Sequence, residues 1–186
     1  MGLGSQLVRW NSTLCNELVA RGFRVIRFDN RDVGLSTHCE QMPLPDLRAM
    51  LQGGPAPLLP YTLDTMAADT VGLLDALQID RAHICGASMG GAIAQIVAAR
   101  YPQRCLSLTS MMSSSGNPLL PPPTPGAAAA LFAPLPITRD RASIVADAIT
   151  RFRAIESPGY PTPVDELQAM FGEEYDRGFY PQGVVR

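Results

Sequence analysis

Ala82-His83-Ile84-Cys85-Gly86-Ala87-Ser88-Met89-Gly90-Gly91-Ala92-Ile93-Ala94-Gln95-Ile96-Val97 is the stretch whose reading decides the fold. The first four residues are short and apolar, as in a buried strand. From Gly91 to Arg100 the apolar residues Ile93, Ile96 and Val97 recur on one helical face. Between them stands Gly86-Ala87-Ser88-Met89-Gly90, a Gly-x-Ser-x-Gly turn. In a strand–turn–helix setting this is a nucleophile elbow, whose glycines admit close backbone while the serine hydroxyl projects from a strained turn. Small residues also join strands to helices in parallel α/β proteins that have no such chemistry. The flanks must therefore decide.

Working outward, Thr65–Leu77 carries Met66, Val71, Leu73, Leu74 and Leu77 in a helical pattern, and Cys105–Met112 reads as a further strand. Upstream, Asn11–Arg21 is predicted helical, with Ser12 as its cap and Gly22 as its stop. Phe23–Phe28 is predicted as a strand ending in the polar loop Asp29-Asn30-Arg31-Asp32-Val33-Gly34-Leu35-Ser36. Alternating β and α elements argue for a parallel sheet flanked by helices. Residues 39–62 hold too many Pro and Gly residues for a regular element beyond a helical turn at 46–51.

After Ser113 the character changes. Residues 117–136 contain seven prolines and an alanine run, which reads as a linker. Arg139–Arg153 and Val164–Tyr175 have helical periodicity. The expected organisation is a core over 1–116, a Pro/Ala-rich linker over 117–136 and the start of a helical cap over 137–186.

Composition narrows the class. The chain has 186 residues, 46% hydrophobic, with a net charge of -2 and no basic run, so a nucleic-acid partner is not expected. Four scattered cysteines form no CxxC pair, which argues against a metal centre or a disulfide framework and for reduced thiols in a cytoplasmic protein. No apolar stretch reaches membrane-spanning length. Neither metal nor cofactor is implied, and oligomeric state is not legible.

Three segments together, Met1-Gly2-Leu3-Gly4-Ser5, Phe28–Ser36 and Gly86–Gly91, resemble the α/β-hydrolase superfamily. In that family they are the oxyanion loop, an Asp-x-Arg-Gly-x-Gly-x-Ser loop and the elbow. Asp32 stands where the middle motif has its first glycine. The cap region is loosely similar to the aclacinomycin methylesterase type of small-molecule esterase. The resemblance implies Ser88 as nucleophile, Gly86 and Gly90 as elbow glycines, and the backbone N–H groups of Met89 and Leu3 as oxyanion donors. It also implies a partial α/β-hydrolase fold acting on a small, fairly hydrophobic carboxylic ester through an acyl-enzyme.

A serine nucleophile requires a base and an orienting acid. Of the two histidines, His83 lies five residues before Ser88 on the same strand, on the order of 16 Å away at roughly 3.3 Å per residue, and is expected to pack at the rim. His38 precedes the serine, against the family's order of nucleophile, acid, histidine, and is expected in a solvent-exposed loop. The acids after Gly116 fall in cap-like helices. The triad acid and histidine are therefore not assigned, and the chain reads as part of a longer hydrolase that lacks a central strand. Such a chain is expected to fold poorly and to hydrolyse little by itself. Cofactor-free haloperoxidase or perhydrolase chemistry on the same fold, and a non-catalytic ligand-binding homologue, are the alternatives.

Overall fold

A computed structural model describes residues 1–45, 59–117 and 119–185. The helical turn expected at 46–51 lies outside the described residues. The chain divides into two compact units, one of residues 1–117 with 180–186 and the other of residues 118–179.

In the first unit, strand β1 (Ala82–Ala87) pairs in parallel with β2 (Cys105–Met111), from Ala82 against Cys105 to Ala87 against Met111. Parallel strands need a crossover, and helix α3 (Met89–Arg100) supplies it. Helix α2 (Leu63–Ala76) precedes β1 and packs on α3. It begins at Thr62, whose side chain accepts from the Thr65 N–H while Thr65 reaches back to the Thr62 backbone, so two orphan donors are satisfied reciprocally. Met66, Ala67, Val71 and Leu74 of α2 close over Ile84 of β1 and Ile93, Ala94 and Val97 of α3. Burying side chains of this size contributes about 1.5–3 kcal/mol each, which makes this cluster the main source of stability near the elbow. It covers the Ile84 face of the strands. His83 and Cys85, on the opposite face, are exposed.

Three local expectations differ from the structure. Helix α1 (Ser12–Ala20) is capped by Asn11, whose side chain accepts from the Thr13 N–H, so Ser12 is the first helical residue rather than the cap. Gly22, at φ 87°, provides the left-handed stop. Residues 23–28 form no ladder: among the described residues the sheet has only β1 and β2. Their β-branched and aromatic content is a preference that becomes a strand only where a partner offers hydrogen bonds, and the described residues offer none beside them. Residues 125–132, expected within a linker, form helix α4 (Pro125–Phe132) in the second unit. Thr124 accepts from the Ala127 N–H, Pro125 takes the first helical position where its missing N–H costs nothing, and the alanine run has the highest helix propensity.

The second unit continues with α5 (Arg141–Ile155) and α6 (Val164–Gly178). Val145, Leu167 and Phe171 form its centre, and the Phe152 and Phe171 rings meet edge to face at 6.0 Å. Arg151 donates to the carbonyls of Ala133 (2.6 Å) and Pro134 (2.8 Å), tying the end of α4 to α5. Among the described residues no helix is long and apolar enough to cross a membrane. The last turn, α7 (Gln182–Val185), belongs to the first unit rather than to the helices that precede it.

Candidate active site

Ser88 sits between β1 and α3 with φ 54° and ψ -122°. These are the angles that a type II′ turn gives its first central residue, a position dominated by glycine. A non-glycine residue held there costs about 1–3 kcal/mol. Three backbone bonds hold it: the Ser88 N–H donates to Met111 O at 3.0 Å, extending the β1–β2 ladder by one rung, and Ser88 O accepts from the Gly91 N–H at 2.8 Å and the Ala92 N–H at 3.2 Å. Ladder and helix thus impose the strain jointly, and the serine side chain is left exposed.

The glycines around it are there for contact. A Cβ on Gly86 would fall on the Gly90 carbonyl, so α3 can leave the strand at this angle only over a bare backbone. A Cβ on Gly90 would lie 2.6 Å from Met1 O, and one on Gly91 2.6 Å from Ser113 Cβ. Met1 and Ser113 therefore crowd the first turn of α3. A Cβ on Gly2 would stand 3.3 Å from Ser88 Cβ and 3.6 Å from Ser88 Oγ, which brings Gly2 beside the hydroxyl. Met89 is the first residue of α3, where backbone N–H groups have no partner within the helix and the helix dipole is positive.

The middle loop is tied to this arrangement by buried carboxylates. Asp29 accepts from the Leu7 N–H at 2.7 Å and from the Leu35 N–H at 3.2 Å, while its own carbonyl accepts from Ser36 Oγ at 2.7 Å. The Asn30 side-chain amide donates to Met1 O at 3.5 Å. Asp32, 1% exposed, has φ 60°, the left-handed conformation that glycine supplies elsewhere and that Asp adopts more readily than most residues. Its N–H donates to Thr37 O and one of its carboxylate oxygens accepts from the Cys39 N–H at 2.6 Å. Replacement of the motif glycine therefore leaves a tight turn, held by a side chain that also satisfies backbone. Sequence reasoning missed both carboxylates as organisers; a buried-looking Asp in a Gly-containing loop is the signal that marks such a role.

Neither histidine contacts Ser88. The His83 ring bonds Ser107 Oγ at 2.7 Å and meets Phe23 edge to face. His38 is half-buried rather than solvent-exposed, because its ring stacks on Tyr180 at 3.8 Å between centroids and bonds Gly34 O at 3.0 Å.

Two cavities flank Met89. One, of about 340 Å³, has Leu3, Val33, Leu63, Met66, Met89 and Val184 in its walls. Arg31 also lines it, its guanidinium paired with Asp69, which holds it charged above its ordinary range, and lying over the Tyr61 ring. The other, of about 540 Å³, is bounded by Ser88, Gln95, Met112 and residues 113–116. Ser88 is thus an exposed, strained serine at the N-terminus of a helix and in the wall of the second cavity.

The chain belongs to the alpha/beta hydrolase fold family, whose profile matches residues 2–136. It is 36% identical over 106 residues to rhodomycin D methylesterase DnrP of Streptomyces peucetius, a match covering 57% of this chain and 30% of that protein. It is 46% identical over 48 residues to 3-oxoadipate enol-lactonase 2 of Acinetobacter baylyi, covering 26% of this chain and 18% of that protein. Among solved structures, a hydrolase from Pseudomonas aeruginosa superposes with a TM-score of 0.54 at 26% identity, covering 99% of this chain and 60% of that one. A 2-hydroxy-6-oxo-6-phenylhexa-2,4-dienoate hydrolase from Rhodococcus gives a TM-score of 0.55 at 20% identity, a likeness of fold. The match thus spans about 30% of the methylesterase's length.

Proposed function

We propose that the protein to which these residues belong is a serine hydrolase of small, fairly hydrophobic carboxylic esters, with Ser88 as nucleophile. One observation carries this reading: Ser88 occupies a strained, otherwise glycine-like turn at the N-terminus of α3, with Gly2 close beside its hydroxyl. Attack of Ser88 Oγ on the ester carbonyl forms a tetrahedral oxyanion. The N–H groups of Met89 and Leu3 stabilise it, each by about 3–4 kcal/mol, because fixed dipoles need no reorganisation as charge develops. Collapse expels the alcohol and leaves an acyl-serine that water hydrolyses. The proton on Ser88 must pass to a general base. His38 and His83 are engaged elsewhere, so that role is assigned to neither. Similarity to a methylesterase and an enol-lactonase favours ester chemistry over other uses of the fold.

Covalent labelling with a fluorophosphonate, followed by peptide mapping, tests the reading. Label on Ser88 in the whole protein, lost in Ser88→Ala, is the expected result. Label retained in Ser88→Ala overturns it.

A further inference from the structure

The apolar cavity beside Met89 has a wall whose origin the elbow does not explain. Val184 and Val185 line it, from the short turn α7 at the end of the described chain. A four-residue helix has little stability of its own, so its place on the unit has to be fixed by contacts. Three of them do so. Tyr180 lies flat on His38, with 5° between ring planes and 3.8 Å between centroids. Gly183 lies so close over the Asp32 carbonyl that a Cβ would overlap it. Val184 Cγ2 stands 2.5 Å from where a Cβ on Gly4 would be, so it fills the space that this glycine leaves. His38 itself is held from behind by Gly34 O.

We infer that His38 and Tyr180 act as a latch that sets this wall, and so determine how large an apolar group is accepted in the cavity beside Met89, the residue that follows Ser88. They are positioning residues and touch the substrate only through Val184 and Val185. The inference rests on Ser88 being the reacting group and names the part of the substrate that lies beyond Met89. That part is uncharged and aliphatic or cyclic: the lining is dominated by Leu, Val and Met, and the one cation in it, Arg31, is already paired with Asp69. About 340 Å³ lies at the small end of ligand cavities, which suits a short chain or a single ring.

Two neutral ketones, 2-octanone and 2-butanone, serve as probes with no ester bond to break. Their affinities for the full chain are read by NMR titration, with the Val185 and Met89 methyl signals as reporters. The expected outcome is a preference for 2-octanone that falls about tenfold in Tyr180→Ala and in His38→Ala, the scale on which pockets discriminate methylenes, and is kept in Tyr180→Phe, which preserves the stack. General loosening would weaken both ketones alike and leave their ratio unchanged. An unchanged ratio in both alanine variants overturns the inference. Should those variants not fold, Val184→Asp, which leaves the latch intact and puts a charge in the cavity, must abolish the preference; retention overturns the inference equally. Fluorophosphonate labelling insensitive to Ser88→Ala would defeat the assignment of Ser88 and leave the ketone ratio readable.

Discussion

The elbow and the loop of residues 29–38 face the same small volume but are held by different means. At the elbow the backbone does the work: a ladder rung to Met111, the first turn of α3 and bare glycines force Ser88 into its strained turn. In the 29–38 loop, side chains do it. Asp29 reaches the N–H groups of Leu7 and Leu35, and Asp32 that of Cys39. Backbone-determined geometry is steep in sterics and insensitive to charge. Carboxylate-determined geometry is the reverse, since each bond depends on a single ionised group.

The contrast is open to test, and the largest effect belongs to chemistry. Ser88→Ala should lower acylation by the whole protein about 10³-fold or more, since the reacting atom is gone, measured as the rate of fluorophosphonate labelling. Next comes sterics: Gly86→Val should destabilise the first unit by about 3 kcal/mol or more through overlap with the Gly90 carbonyl, read from urea unfolding. Asp29→Ala should cost about 2 kcal/mol, because it leaves two backbone donors without their charged acceptor. Asp29→Asn should recover part of this, and full recovery would show that shape rather than charge holds the loop. Ser88→Gly should be about 1 kcal/mol more stable than Ser88→Ala, because only glycine relaxes at φ 54°. Equal stability would remove strain from the account of the elbow.

The smallest effect concerns the second unit and supplies a control for charge. The Ser143 backbone N–H and hydroxyl hold the Asp140 carboxyl below its ordinary range, the Thr162 N–H and Arg153 do so for Glu156, and the Arg141 guanidinium does so for Asp176. Depressed carboxyls contribute stability above their unfolded pKa, near 4, and that contribution is lost as pH falls through the folded values. Helix protection in residues 140–178, followed by hydrogen exchange, should weaken on acidification below about pH 4. The weakening should be shallower in Glu156→Gln.

The same division explains what the sequence made legible. The run from Ala82 to Arg100 was readable because a short apolar run, helical periodicity and Gly-x-Ser-x-Gly each reflect backbone constraints among near neighbours. Among the described residues Phe23–Phe28 has strand-like composition yet no ladder, since strandedness belongs to a pair and composition reports one member only. Thr124 and Pro125 were start signals for α4 that the surrounding prolines obscured. Asp29 was legible as a motif residue but not as the acceptor for Leu7, and the stack of His38 on Tyr180 left no local trace at all. Contacts between side chains far apart in sequence carry no period.

Strand β2 has β1 on one side, and Leu106 and Leu108 are respectively 48% and 41% exposed. Among the described residues its other edge is a row of hydrogen-bonding groups offered to whatever strand arrives first. That edge is where a further strand, from this protein or from a second copy, would add.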